Sequence, residues 1–415
     1  VYRPLSNRIA GLSIATLCLL PLAACRRSGF PDIPAGFREF AYVANSGGNT
    51  VSVLDLVYLR QDRVLQVGAE PTALAVNGHR DEVYVVNTQT RQTSGSISVV
   101  DTTKNRIAAT IPVNRQPVAI AVDSSGRRAF VVNSGSNNIS VLDLDQRRQI
   151  AVASTGEQPG VVRIAANGRT LIVTNRGSGS VSIYDAALPP EPDAKPTGKA
   201  DPPLKLRATF GNCPGASDAA ILPDDSRAFV ACSGGHQVMG IALAQAPDSW
   251  AVKQDSAALT DHLLAFLDVG QQPEHIAMKP NGGEIFVSNT LSDSVSEIST
   301  YTCEVGGTYP IGSRPAHGVV SDDNSTLWVS NSGADAIGLY SIEDGKLVSS
   351  LHTGSSPDSL AFSADEHLLL AADQHSGDVA VIRTQGKLGP ALFTMLPAGQ
   401  APSAIVTKAM TDGGH

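Results

Sequence analysis

A four-residue phrase returns eight times along this chain, and no other feature restricts the possible folds as strongly. It reads Tyr42-Val43-Ala44-Asn45, then Tyr84-Val85-Val86-Asn87, Phe130-Val131-Val132-Asn133, Ile172-Val173-Thr174-Asn175, Phe229-Val230-Ala231-Cys232, Phe286-Val287-Ser288-Asn289, Trp328-Val329-Ser330-Asn331 and, degenerately, Leu370-Ala371-Ala372-Asp373. A proline lies sixteen residues before most of these closing residues, as Pro71 does before Asn87 and Pro315 before Asn331, and Gly-x-x precedes seven of the eight prolines. Asn114 stands in for the glycine ahead of Pro117. Asn tolerates positive φ better than other non-glycine residues, so this turn position is expected to be left-handed.

A polar turn after each closing residue leads to a third run such as Val51-Ser52-Val53-Leu54-Asp55, whose apolar/polar alternation predicts a half-buried strand. A fourth run, Ala109-Thr110-Ile111-Pro112-Val113 in one copy, completes four strands in about 42 residues. Four strands at that period make a propeller blade. The expected fold is all-β, a β-propeller of four-stranded antiparallel blades. The copies argue for eight blades, and the degeneracy of the last leaves seven as the alternative. The first phrase has no strand before it, and Pro402-Ser403-Ala404-Ile405-Val406 has none after it. The C-terminal strand is therefore expected to pair with the N-terminal blade, which removes a free edge.

On these motifs the chain resembles the YVTN-repeat (YncE-like) β-propeller family from about Phe40 to Ala409, giving a propeller over 40–410 and a tail over 411–415. A hydrophobic fraction of 42% excludes disorder as the overall state. A net charge of −8 without a block of like charge argues against nucleic acid as a partner.

Arg3 and Arg8 precede an apolar run from Ile9 to Leu20 and then small residues, the layout of an export signal over 1–24. The run is shorter than the ~20 residues of a membrane span. Leu22-Ala23-Ala24-Cys25 resembles a bacterial lipobox, and the resemblance implies lipidation of Cys25, a lipidated linker over 25–39, and a membrane-anchored lipoprotein facing the periplasm or cell surface. The alternative is an ordinary signal peptide. Two insertions, Leu188–Leu204 and Ala244–Leu264, both between third and fourth strands, are expected on one face, the second with a short helix around 257–265.

Candidate chemistry lies in one column. The residue two positions after each proline, with the fifth copy aligned backward from Cys232, is Ala73, Ala119, Val161, Asp218, His275, His317, Ser359 and Ala404. On the innermost strand this column borders the central channel. Asp218, His275 and His317 on adjacent blades are the ligand types of a two-His, one-carboxylate site for a divalent metal, or acid and base groups in a pocket. No ligand spacing on one element supports the metal, and a wet polar lining accounts for the same residues. Arg163, Asp358 and Ser359 are candidates for that lining. Cys213 and Cys232 are candidates for a disulfide, with Cys303 left single.

Two functions remain open. One is a lipid-anchored envelope propeller that acts as a binding scaffold for a protein, polymer or small ligand. The other is a hydrolase resembling the 6-phosphogluconolactonase-type propeller lactonases, since Gly270-Gln271-Gln272-Pro273-Glu274-His275 looks like that family's repeat segment. Glu274 stands where the family has Arg, which takes away the expected cationic partner of a phosphate. No cofactor beyond a possible divalent metal is implied.

Overall fold

Each repeat becomes one sheet. The computed structural model describes residues 34–89, 93–188, 202–247, 249–386 and 389–411, and these form eight four-stranded antiparallel sheets. In blade 2 the strands Pro71–Val76, Glu82–Asn87, Ser94–Asp101 and Arg106–Arg115 are bonded in that order. The repeated phrase is the second strand of every blade. The export signal, Cys25 and most of the first insertion lie outside the described residues. Among the described residues no helix is long and apolar enough to cross a membrane.

The first strands pack side by side in a ring, and Pro402–Thr411 touches both Pro357–Phe362 of blade 8 and Pro71–Val76 of blade 2. It pairs with Phe37–Asn45 from Phe37↔Thr411 to Asn45↔Pro402. The eight-blade count and the expected closure therefore both hold. Between blades the second strands pack apolar faces together, as Phe130 and Val132 of blade 3 do with Leu171 and Val173 of blade 4. Burial of side chains this large contributes roughly 1.5–3 kcal/mol each.

Three local expectations are corrected. The third strands are buried on both faces, not half-buried, and Thr50–Asp55 is buried throughout. Their polar residues face the closing Asn instead of water: Asn45 Nδ2 donates to Thr50 Oγ1 at 3.1 Å and to Ser52 Oγ at 3.0 Å. The left-handed position of the Gly-x-x-Pro turn is the residue just before the proline, at Glu70, Gln116, Gln158, Gln272, Arg314, Ser356 and Ala401. The glycine is required by close approach, because a Cβ at Gly68 would lie 2.7 Å from the Asn87 side chain and one at Gly270 2.6 Å from Asn289. The helix of the second insertion comes earlier than expected, at Trp250–Gln254, with Ser249 Oγ accepting from Val252 N–H and a 3₁₀ turn following at Ser256–Leu259. By His262 the chain has entered the fourth strand, His262–Asp268.

Blade 5 departs from the column in a coordinated way. Cys232 replaces Asn and is joined to Cys213, with Cα atoms 4.8 Å apart. Gly211 then has open space around its Cβ direction, unlike the glycines that meet an Asn. A covalent bond ties strand to turn where blade 4 uses the amide of Asn175 and blade 8 the carboxyl of Asp373.

Candidate functional site in the channel

The innermost strands carry a line of charged and imidazole groups through five consecutive blades. Arg163 of blade 4 donates from Nη2 to Asp218 Oδ1 at 2.8 Å and from Nε to Ala219 O at 3.0 Å. Asp218 is nearly fully buried and also accepts from Ala219 N–H at 2.8 Å and Ile276 N–H at 3.1 Å. Burial opposes its ionisation, but Arg163, then His275 and the two backbone donors, outweigh that and lower its pKa.

His275 Nε2 lies 3.7 Å from Asp218 Oδ2, and Nδ1 accepts from Gly318 N–H at 3.2 Å. Acceptance at Nδ1 fixes the tautomer with hydrogen on Nε2. Burial, reinforced by His317, pushes the pKa of His275 down to about 3, so it is neutral at physiological pH. Its ring lies against His317, centroids 4.3 Å apart.

His317 Nδ1 is 3.2 Å from Asp358 Oδ1, on blade 8. Burial raises the Asp358 pKa, yet the hydrogen bond from His317 and the nearby imidazoles lower it further, so the carboxylate is ionised. An ionised carboxylate only accepts, so His317 donates from Nδ1 and presents Nε2 with its lone pair. Ser330 braces the pair from behind: its hydroxyl accepts from His317 N–H at 3.0 Å and donates to the Asp358 carbonyl at 2.7 Å. Asp358 also lines a cavity of about 390 Å³ with Arg314, Ser332, Asp335, Ser356 and His375.

The structure thus brings together Arg163, Asp218, His275, His317 and Asp358. Ser359 does not join them; its hydroxyl accepts from Ile405 N–H at 3.3 Å. The three-residue metal set expected from Asp218, His275 and His317 is not formed, and among the described residues no group of three or more His, Cys, Asp or Glu is placed to hold a metal ion. The reason is local. Asp218 is already bonded by a guanidinium and two amides, and His275 Nδ1 is taken by a backbone N–H. Ser330 was not a sequence candidate, although a signal existed: the residue before the closing Asn is small or β-branched in most blades and Ser in blades 6 and 7.

Fold and site define an eight-bladed β-propeller with a carboxylate-supported histidine in its channel. The protein-family model described as lactonase, 7-bladed beta-propeller matches residues 248–395, the stretch that contains His275, His317 and Asp358. Comparison with curated protein sequences gives no match. Among solved structures, a candidate 6-phosphogluconolactonase from Bacteroides fragilis NCTC 9343 is 15% identical at a TM-score of 0.60, covering 92% of this chain and 100% of that one. The Pseudomonas aeruginosa periplasmic gluconolactonase PpgL is 16% identical at a TM-score of 0.56, covering 89% and 99%. The dihydro-heme d1 dehydrogenase NirN is 15% identical at a TM-score of 0.66, covering 94% and 78%. Identities this low establish the shared fold alone.

Proposed function

We propose that this propeller is a hydrolase that opens a lactone at the channel mouth, with His317 as general base and Asp358 as its orienting partner. The observation that carries this reading is the His317–Asp358 hydrogen bond, which lies inside the segment matched by the lactonase family. His317 Nε2 takes a proton from water as the water oxygen bonds to the acyl carbon. The ring C–O bond then breaks and the proton passes to the departing alkoxide, giving a hydroxy acid. Arg163 is paired with Asp218 at 2.8 Å and Arg176 with Glu274 at 3.1 Å, while Arg314 lines the cavity beside Asp358. Glu274, standing where the lactonase-like repeat segment has Arg, favours an uncharged lactone over a phosphorylated one.

The test is hydrolysis of glucono-1,5-lactone by protein lacking residues 1–25, followed by pH-stat. Turnover that His317→Ala lowers by about 10²–10⁴-fold supports the reading. Turnover indifferent to that substitution refutes it, and absence of turnover returns the propeller to the role of a binding scaffold. We further propose that the chain is a YVTN-type lipoprotein carried to the cell envelope and held by lipid on Cys25, supported by the lipobox-like Leu22-Ala23-Ala24-Cys25. Cys25→Ala should move it from the membrane fraction to the soluble one.

A further inference from the structure

In five blades the closing Asn ties the second strand to the third through its amide nitrogen. Nδ2 donates to the residue directly across the ladder and to the one two places further on. Asn175 donates to Ser180 at 3.2 Å and Ser182 at 2.9 Å, and Asn289 to Ser294 at 3.2 Å and Ser296 at 2.9 Å. Asn175 Oδ1 also accepts from Gly156 N–H of the Gly-x-x-Pro turn at 3.1 Å, whereas Oδ1 of Asn45, Asn87, Asn133 and Asn289 has no hydrogen-bond partner.

Blade 8 has Asp373 in this place. Its Oδ2 accepts from the turn N–H of Gly354 at 3.0 Å, so Oδ1 occupies the position of the amide nitrogen. Across the ladder stands Asp378, and two places on is Ala380, which has no acceptor. Asp373 is fully buried, and Oδ1 has no hydrogen-bond partner. Two acceptors face each other where sister blades set a donor against an acceptor, and an unmatched buried pair of this kind is costly.

We propose that Asp373 and Asp378 share one proton, that protonated Asp373 thereby takes the part of asparagine, and that losing the proton loosens the turn Gln374–Gly377. The groups facing Asp373 are few. Thr353 and Gly354 approach from the turn before the first strand, and Asp378 from the third strand with Ser376 Oγ donating to its Oδ1 at 2.8 Å. His375, on the same turn, is exposed. Burial first and Asp378 next raise Asp373 to about 7, against the lowering by Gly354 and Thr353. The unfolded carboxyl titrates near ~3.9. The native proton therefore stabilises fully below about pH 4, and that contribution is lost as pH rises toward 7. The turn matters to its surroundings. Gln374 and His375 line the cavity that also holds Asp358, and Gly377 O accepts from Ala398 N–H on the approach to the closing strand. This inference is independent of the hydrolase reading.

Thermal unfolding of wild type and Asp373→Asn at about pH 5 and pH 8 tests it. Wild type should lose Tm between the two, whereas the asparagine, which restores a donor, should keep most of its Tm and exceed wild type at the higher pH. Equal losses in both proteins overturn the proposal. A second readout is the infrared carbonyl band of a protonated carboxylic acid at about pH 6, present in wild type and absent in Asp373→Asn; a wild type without that band also overturns it. So does a Tm gain on adding calcium to wild type but not to the variant, since the pair would then hold a cation.

Discussion

His317 bonds to Asp358 through Nδ1 across a blade boundary at 3.2 Å, while its ring lies against His275 with centroids 4.3 Å apart. One neighbour is an anion and the other a neutral ring, so His317 can gain a proton at Nε2 without meeting a second positive charge on the adjacent imidazole. The carboxylate sets the tautomer, and the half-buried His275 limits how the ring can turn.

Asp358→Asn tests the tautomer directly. The amide can donate to Nδ1 and so favours hydrogen on Nε2, the wrong form for a base. We expect kcat for lactone hydrolysis to fall by about 10²–10⁴-fold with KM little changed, and the Asp358→Asn/His317→Ala double variant to be no worse than the poorer single one. Additive losses would mean that the two residues act separately.

His275 gives the acid limb of stability. Burial, helped by His317, holds its folded pKa at about 3, whereas an unfolded histidine titrates near ~6.5. The unfolded chain binds more protons between those values, so the contribution of neutral His275 is complete above about pH 6.5 and is lost as pH falls. Urea midpoints measured across that range should decline toward acid in wild type and decline less in His275→Gln. An unchanged slope would show that His275 is not held neutral.

The Cys213–Cys232 bond cannot be replaced by the residue used elsewhere in the column. Across from Cys232 stand Gln237 and, two places on, Met239, where the five blades with the paired Asn nitrogen offer Ser, Thr or Asn. Cys232→Asn should therefore lose about as much stability as Cys232→Ala, on the order of 2–4 kcal/mol by denaturant unfolding. Full recovery in the asparagine variant would contradict this account of why the column changes in blade 5.

Asn289→Asp copies blade 8 into blade 6. It removes the donor to Ser294 and Ser296 and should cost about 1–3 kcal/mol at pH 8, with a smaller loss at pH 5, where the new carboxyl is more often protonated. Calorimetry at the two pH values reads the difference, and a loss independent of pH would show that protonation does not restore the asparagine bond.

Blade number and ring closure were legible because each repeat carries its own strand pattern and the terminal runs complete one another. The alternation in Val51-Ser52-Val53 was legible as a strand and misleading as to exposure, because Ser52 answers Asn45 rather than water. Alignment of Asp218, His275 and His317 in one column located the channel site. What they do there was hidden, since backbone donors from Gly318 and Ile276 belong to neighbouring blades and take up the lone pairs a metal would need. Asp373 looked like mere degeneracy, and its meaning depends on Asp378 facing it across the ladder.

The pairing of Phe37 with Thr411 also sets an order of events. These strands are separated by almost the entire chain, so contacts within blades 2 to 8 can form during synthesis, while the seam of blade 1 waits for the last strand to leave the ribosome. Until then the molecule is an arc with two exposed edges, and this interval is when a chaperone or a second nascent chain has its best opportunity to bind.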